Sequence, residues 1–464
     1  MTKFGLDFGT TNSSISLSTE GKVALLDIDQ IAPDPKVCRS LLYFFHRPLV
    51  ERKDKYGNKS SNYEGDFRYT FGSDALANYL QDNRNRHPGI VRQIFTGRMI
   101  QTNVSLNAPN ADLVAEYYED YDYGVGRLMQ ALKTALKSPI YKGTNIFGKF
   151  FTLEQMIGIF VSKLKNAAEN QIGEKADYLK VGRPVHFLTD PQKDKDVEER
   201  LRGALNMVGF KQIEFEYEPV AAAKYFLWKY PTQGKRVLVF DFGGGTLDTA
   251  IVEMSDKFRV LATDGVYIGG NLLNSDIMRV KLNKYLGTEV KWGRFMTELP
   301  KNFSESLNSW YGIANLNNPR DMKFLTEIQR ESSDPEGIAR LIYLIKMNLG
   351  FEVYEAIETA KKTLSNNDHT AITFRDGPID INVSLSREEF ETIIKPRISE
   401  VEETVMRTLK AAKVVPFDID VVVRTGGSSL IPAVEQMLER IFGKEKVQLF
   451  DAFTSIAAGL SLPE

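Results

Sequence analysis

The sequence predicts a duplicated α/β protein whose two lobes face each other across a cleft. Three observations carry this. Residues 236–253, RVLVFDFGGGTLDTAIVE, read as a strand closed by Asp241, a turn at Gly243, Gly244 and Gly245, and a returning strand from Thr246. The chain opens on the same device: apolar residues around Asp7, a turn at Gly9, Thr10, Thr11 and Asn12, then alternation through Ile15 and Leu17. In both halves strands come first and helices with further strands follow. One glycine hairpin can merely turn the chain, but a repeat of strand, Asp, Gly turn, Thr and strand is much harder to obtain by coincidence.

The turns point to phosphate. Successive backbone N–H groups in a glycine turn form a concavity suited to an anion. Asp241 and Asp248 flank the second turn, and carboxylates beside phosphates suit magnesium, which keeps most of its waters. The gap between the lobes is the expected place for an ATP-sized ligand.

Composition narrows the class. At 464 residues the chain exceeds one ordinary core. A net charge of −2 gives no general attraction to nucleic acid or anionic membrane. Cys38 is the only cysteine, which excludes an internal disulfide and fits a reducing, cytoplasmic setting. No leader peptide is visible after Met1, and no apolar run approaches the roughly 20 residues of a membrane helix. The four histidines lack zinc-ligand spacing.

Taken in order, residues 4–18, 23–28 and 41–45 read as strands, broken by Pro33 and Pro35. Residues 51–68 read as an exposed loop or hairpin arm, and 73–81 as a helix. Residues 92–98 mix apolar and basic side chains, which either point cations into the cleft or end a solvated helix. Residues 102–112 read as a loop, 113–136 show roughly helical spacing, and 147–151 read as a short strand. Residues 153–172 form an amphipathic helix with a stripe of Met156, Ile157, Phe160, Val161 and Leu164. After a strand at 178–188, Asp190-Pro191 supplies an N-cap with proline at the first helical position. A strand at 214–217 leads to Glu218-Pro219 and a small-residue helix. Pro231 and Gly234 mark the boundary between halves, 1–230 and 231–464, with insertions at about 34–148 and 272–350.

In the second half, 258–263 is a third strand and Gly269, Gly270 and Asn271 open a helix. Short helices are expected through 285–336, longer ones at 337–349 and 352–364, and strands at 371–374 and 380–385. Ser386 and Glu389 make a capping box for a helix that meets Pro396, where it kinks or restarts, and continues to 412. A strand at 420–424 feeds the Gly426-Gly427-Ser428 loop, with helices after Pro432 and at 454–460.

Five segments, in one order, resemble the DnaK-type heat-shock chaperones. FGLDFGTTNS from Phe4 and DFGGGTLD from Asp241 are similar to the family's two phosphate motifs. EPVAAA from Glu218 resembles the connecting motif, ETAKKTLS from Glu358 the adenosine helix, and VRTGGSSLIP from Val423 the adenosine loop. The resemblance spans almost the whole chain and implies the actin/hexokinase/heat-shock ATPase fold, with ATP or ADP and Mg2+ as ligands. It further implies that Gly9, Thr10, Thr11 and Asn12 meet phosphates together with Gly243, Gly244, Gly245 and Thr246. Asp7 and Asp241, with Asp248 beside them, hold the hydrated magnesium. Glu218 orients the attacking water, with Asp241, and Thr246 contacts the γ-phosphate. Gly269, Gly270, Glu358, Lys361, Ser365, Gly426, Gly427 and Ser428 enclose the nucleoside.

Three departures stand out. The family's first-lobe lysine precedes a Gly-Arg pair; Gly97-Arg98 has no lysine before it, and Arg92 is the expected substitute. Arginine is not a compact, mobile ammonium, so slow hydrolysis is expected. Leu430 stands where the family has an arginine stacked on adenine, and Asn271 replaces an acidic residue. The chain is expected to stop at the end of the nucleotide-binding domain, without a peptide-binding domain, like short YegD-like members. The resemblance thus implies a monomeric, nucleotide-dependent chaperone-like switch acting on protein partners of co-chaperone or exchange-factor type. The alternatives are a small-molecule kinase, for which no extra aspartate base is found, and an actin-like filament protein.

Overall fold

Two sheets of one topology organise the chain. In the first, the strand order is Gln212–Tyr217, Tyr178–Arg183, Lys3–Phe8, Asn12–Thr19, Lys22–Leu25. In the second it is Val447–Leu449, Val421–Thr425, Lys235–Phe242, Leu247–Met254, Phe258–Val266. Each is an antiparallel three-strand meander extended by two parallel strands. The register repeats as well: Asp7 faces Ser14 across the first hairpin, and Asp241 faces Asp248 across the second. This is the duplicated actin-like ATPase fold. The computed structural model describes residues 3–19, 22–45, 50–53, 59–62, 68–84, 91–101, 113–121, 126–147, 149–231, 235–255 and 257–462, with backbone alone for 50–62, 83–84 and 91–121.

Two helices are exchanged between the sheets. Helix Glu218–Lys229 leaves the first sheet in sequence yet packs on strands Lys235–Phe242 and Leu247–Met254 of the second. Helix Ser455–Ser461 leaves the second sheet and packs on strands Lys3–Phe8 and Asn12–Thr19 of the first. The two helices also cross each other. A Cβ on Gly459 would lie 1.8 Å from the Ala221 carbonyl oxygen, so only glycine permits this crossing. Val220, Ala222, Phe226, Val239, Val252, Ile456 and Leu460 share one core there. The cleft therefore has a floor built from both halves. By contact, the helix just before the 230/231 boundary serves the second sheet.

Local chemistry sets the long helices. Thr152 and Gln155 form a capping box for Leu153–Ile172 that the sequence reading did not identify. The Asp190 side chain accepts from the N–H groups of Gln192 and Lys193 at the start of Pro191–Asn206. Ser386 and Glu389 cap Arg387–Ala412, a single helix that continues through Pro396. No helix among the described residues is long and apolar enough to cross a membrane.

The expectation for 113–136 is corrected. Leu113–Tyr121 and Gly126–Gln130 are strands, and only Leu132–Ala135 is helical. Gly126–Gln130 pairs with Leu41–Phe45, so a partner about 85 positions away in sequence outweighs local spacing. Residues 92–98 likewise lie in strand Val91–Gln101, paired with Leu113–Tyr121, rather than at a helix end. The loop expected at 102–112 lies outside the described residues.

Candidate active site

The two glycine turns meet. A Cβ added to Gly244 would lie 2.3 Å from Thr11 Oγ1, and one added to Gly245 would lie 2.8 Å from Thr10 Oγ1. Bare backbone at 244 and 245 is what allows the lobes to approach here. The second turn is closed by the Gly243 N–H donating to the Thr246 carbonyl at 3.0 Å. Two further segments brace it from behind. The N–H groups of Gly270 and Asn271 donate to the carbonyls of Gly243 and Gly244 at 3.0 and 2.9 Å. Ser428 Oγ donates to the Gly243 carbonyl at 2.8 Å. Gly426 adopts φ 79°, and a Cβ there would meet the Phe242 carbonyl oxygen at 2.4 Å.

One cavity of 390 Å³ collects most of the expected residues: Asp7, Gly9, Thr10, Thr11, Asn12, Glu218, Asp241, Gly243, Gly244, Gly245, Thr246, Gly270, Glu358, Lys361, Ser365, Gly426, Gly427 and Ser428. Two are set back from it. Gly269 packs against Gly244. Asp248 is buried behind the second turn, where its Oδ1 accepts from the Val185 N–H at 2.7 Å. At the nucleoside end Lys361 Nζ reaches the Gly270 carbonyl at 3.2 Å and Glu358 at 2.6 Å. Glu358 also accepts from Asn274 Nδ2, and although burial opposes its charge, Lys361 and Lys362 hold its carboxyl down at about 2. Leu430, Asn366 and Phe453 line the same end.

The cleft holds a lysine that sequence reasoning missed. Lys133 is buried and ion-paired with Glu218, with Asp7 and Asp248 close enough to favour its charge. Its position follows from a local device. Strand Gly126–Gln130 ends, Ala131 takes the left-handed conformation at φ 53°, and a one-turn helix Leu132–Ala135 begins. Leu132 anchors that turn in the first-lobe core while Lys133 lines the cleft. The expectation that the first lobe supplies no lysine is therefore corrected. The side chain of Arg92 lies outside the described residues.

Electrostatics indicate which ion the site suits. Asp241, Asp248 and Glu218 are buried, with half-buried Asp7 beside them, around Lys133, and Lys137 lies close to Asp248 and Glu218. Burial first, and repulsion by Glu218 second, push the Asp7 and Asp248 carboxyls up to about 7. Burial and then Glu218 raise Asp241 well above the ordinary carboxylate range. Asp248 Oδ2 and Thr11 Oγ1 are buried without a hydrogen-bond partner. These carboxylates fit a divalent cation. No group of three or more His, Cys, Asp or Glu among the described residues is placed to ligate a metal directly.

The sign of the pH dependence follows. A carboxyl raised in the folded state binds its proton more tightly folded than unfolded, so stability falls as pH rises between its unfolded and folded values. For Asp7 and Asp248 that window runs from about 4, the ordinary value, to about 7. The free protein is expected to melt higher at pH 6 than at pH 8, and the difference should shrink in Asp248→Asn. Differential scanning fluorimetry at the two pH values checks this.

Comparison with known families follows the same segments. The family described as Hsp70 protein matches residues 128–291 and 347–462, more than half of the chain. The matched stretch begins five residues before Lys133 and excludes Gly97-Arg98.

Proposed function

The chain belongs to the Hsp70 family, and we propose that it is a magnesium-dependent ATPase whose nucleotide state controls its association with partner proteins. Members of this family are ATP-binding and chaperone-like in general. The observation that carries the reading is convergence. Five sequence segments, together with Lys133, line one cavity whose end is closed by two opposed glycine turns.

The residues divide the work as follows. The N–H groups of the turns and the hydroxyls of Thr10, Thr11 and Thr246 hold the phosphate chain. Lys133 leaves Glu218 for the γ-phosphate when the triphosphate enters, because three phosphates offer it more negative charge than one carboxylate. Glu218 is then free to accept a proton from water. It lies in the first turn of its helix, facing the same cavity. Asp7 and Asp241, with Asp248 behind, would hold a hydrated magnesium, which when bound neutralises charge developing on the phosphates. Lys133 removes the ground for slow turnover, and Leu430, which weakens the hold on the base, and Asn271 are the departures that stay.

The crossed helices at the cleft floor suit a two-state movement, since any change in lobe angle alters their crossing. Nucleotide shifts that equilibrium only through contacts that differ between states, and the lobe-spanning cavity supplies them. Co-chaperone or nucleotide-exchange proteins are the partners this reading calls for.

The test is a thermal-shift titration of the whole chain with Mg-ATP, Mg-ADP and Mg-GTP. Adenine nucleotides should raise the melting temperature and GTP should raise it less. No stabilisation by either adenine nucleotide contradicts the reading. A companion variant decides between the two basic residues: Arg92→Ala should leave steady-state ATP turnover within about twofold, because Lys133 occupies the cleft. A loss comparable to that of a Lys133 variant would return the role to Arg92.

A further inference from the structure

At its nucleoside end the cleft cavity is lined by two unlike sets of residues. One set is polar: Glu358, Lys361, Lys362, Ser365 and Asn366, from the last turns of helix Gly350–Leu364 and the residues just after it. The other is apolar: Leu430, Ile431, Ala452 and Phe453.

Phe453 stands out within the apolar set. It is 45% exposed, while Phe450, three residues earlier, is 5% exposed. The difference lies in their partners. The rings of Tyr225, Phe226 and Tyr230 pack on Phe450, with centroids 5.4, 5.2 and 6.1 Å away. Among the described residues no aromatic ring packs on Phe453. What it touches is the nucleoside loop: a Cβ on Gly427 would lie 3.1 Å from Cε1 and 3.4 Å from Cζ of its ring.

The ring is mounted on backbone held from both lobes. Ser14 Oγ, on the first hairpin, donates to the Phe453 carbonyl at 3.3 Å. From the second sheet, the Arg424 carbonyl accepts from the Phe450 N–H at 3.0 Å, and the Gly426 N–H donates to the Ala452 carbonyl at 2.9 Å. Residues 450–453 therefore run bonded to the segment that carries Gly426 and Gly427, and they lead straight into the exchanged helix Ser455–Ser461.

An aromatic side chain that is firmly mounted, half-exposed and lining a cavity is a platform for a flat ligand. The flat, weakly charged part of a nucleotide is its base. Every base has a π face, and stacking it on one aromatic ring strengthens binding by roughly five- to hundredfold.

We propose that Phe453 is the residue on which the base of the bound nucleotide stacks, and that it restores the hold that Leu430 leaves weak. The inference rests on the nucleotide reading and adds the residue that recognises base as distinct from phosphate. Stacking does not read the edge of the base, so Phe453 strengthens adenine and guanine nucleotides alike. Any preference between them comes from the polar set.

The experiment is calorimetric titration of the whole chain with Mg-ADP, joined to tryptophan fluorescence. Phe453→Ala should bind Mg-ADP at least about fivefold more weakly, and Phe453→Trp should bind it within about twofold of the unaltered chain. All three proteins should melt alike without nucleotide, because the ring is half-exposed. The emission that Phe453→Trp adds over the unaltered chain should be quenched by Mg-ADP and not by magnesium pyrophosphate, which has the phosphates but no base. Equal affinity in Phe453→Ala and the unaltered chain, an equal loss in both variants, or an added emission blind to Mg-ADP overturns the proposal and leaves the nucleotide reading standing. No Mg-ADP binding by the unaltered chain would count against the nucleotide reading itself, and this inference would fall with it.

Discussion

Replacing Lys133 by methionine is expected to lower ATP turnover by roughly two to three orders of magnitude, the size found when one preorganised transition-state donor is removed. ATP affinity should fall far less, because the turns and the adenosine-side residues are untouched. The reason lies in where the charge sits. Lys133 is the cation amid Glu218, Asp7 and Asp248, and its own charge is favoured by all three despite burial. The same substitution leaves Glu218 buried without its partner, and breaking one side of a buried pair costs about 3–5 kcal/mol. Neutralising both partners should be much milder. A cycle of Lys133→Met, Glu218→Gln and the double variant, followed by chemical denaturation and single-turnover kinetics, separates the two effects. Stability should recover in the double variant while turnover does not. Unchanged turnover in Lys133→Met would remove the lysine from the chemistry.

Asp241→Asn should separate stability from function in the opposite direction. Asp241 is buried on the second hairpin, and its charge is opposed by burial and then by Glu218, Asp248 and Asp7. Removing that charge relieves repulsion, so the free protein is expected to melt higher than the unaltered chain. Magnesium-dependent turnover is nevertheless expected to fall by about two to three orders of magnitude, if the carboxylate acts like other groups that stabilise developing charge. Such opposition is common where a site stores like charges for function. Melting curves without nucleotide, and turnover against magnesium concentration, read the two outcomes. A variant that melts no higher and hydrolyses normally would leave Asp241 a structural residue only.

Much of this architecture was legible because its chemistry is local. A strand, an aspartate and a glycine turn occupy under ten residues, and both copies mark the turns that meet across the cleft. Asp190-Pro191 and the Ser386/Glu389 box fix helix starts in the same short-range way. Lys133 was not legible, for a physical reason. Its position depends on strand Gly126–Gln130 pairing with Leu41–Phe45, and on left-handed Ala131, neither of which a window of neighbouring residues reveals. Viewed locally, ALKTALK from Ala131 continues a helical pattern. The exchange of helices Glu218–Lys229 and Ser455–Ser461 between sheets was hidden for a similar reason, since it is a relation between distant segments.

A crystal structure with a non-hydrolysable ATP analogue and magnesium tests the central claim most directly. The account predicts the triphosphate between Thr10 and Thr11 on one side and Gly244 and Gly245 on the other, with the Lys133 ammonium moved from Glu218 to the γ-phosphate. A nucleotide bound outside that gap, or a Lys133 still paired with Glu218 beneath a bound triphosphate, would contradict it.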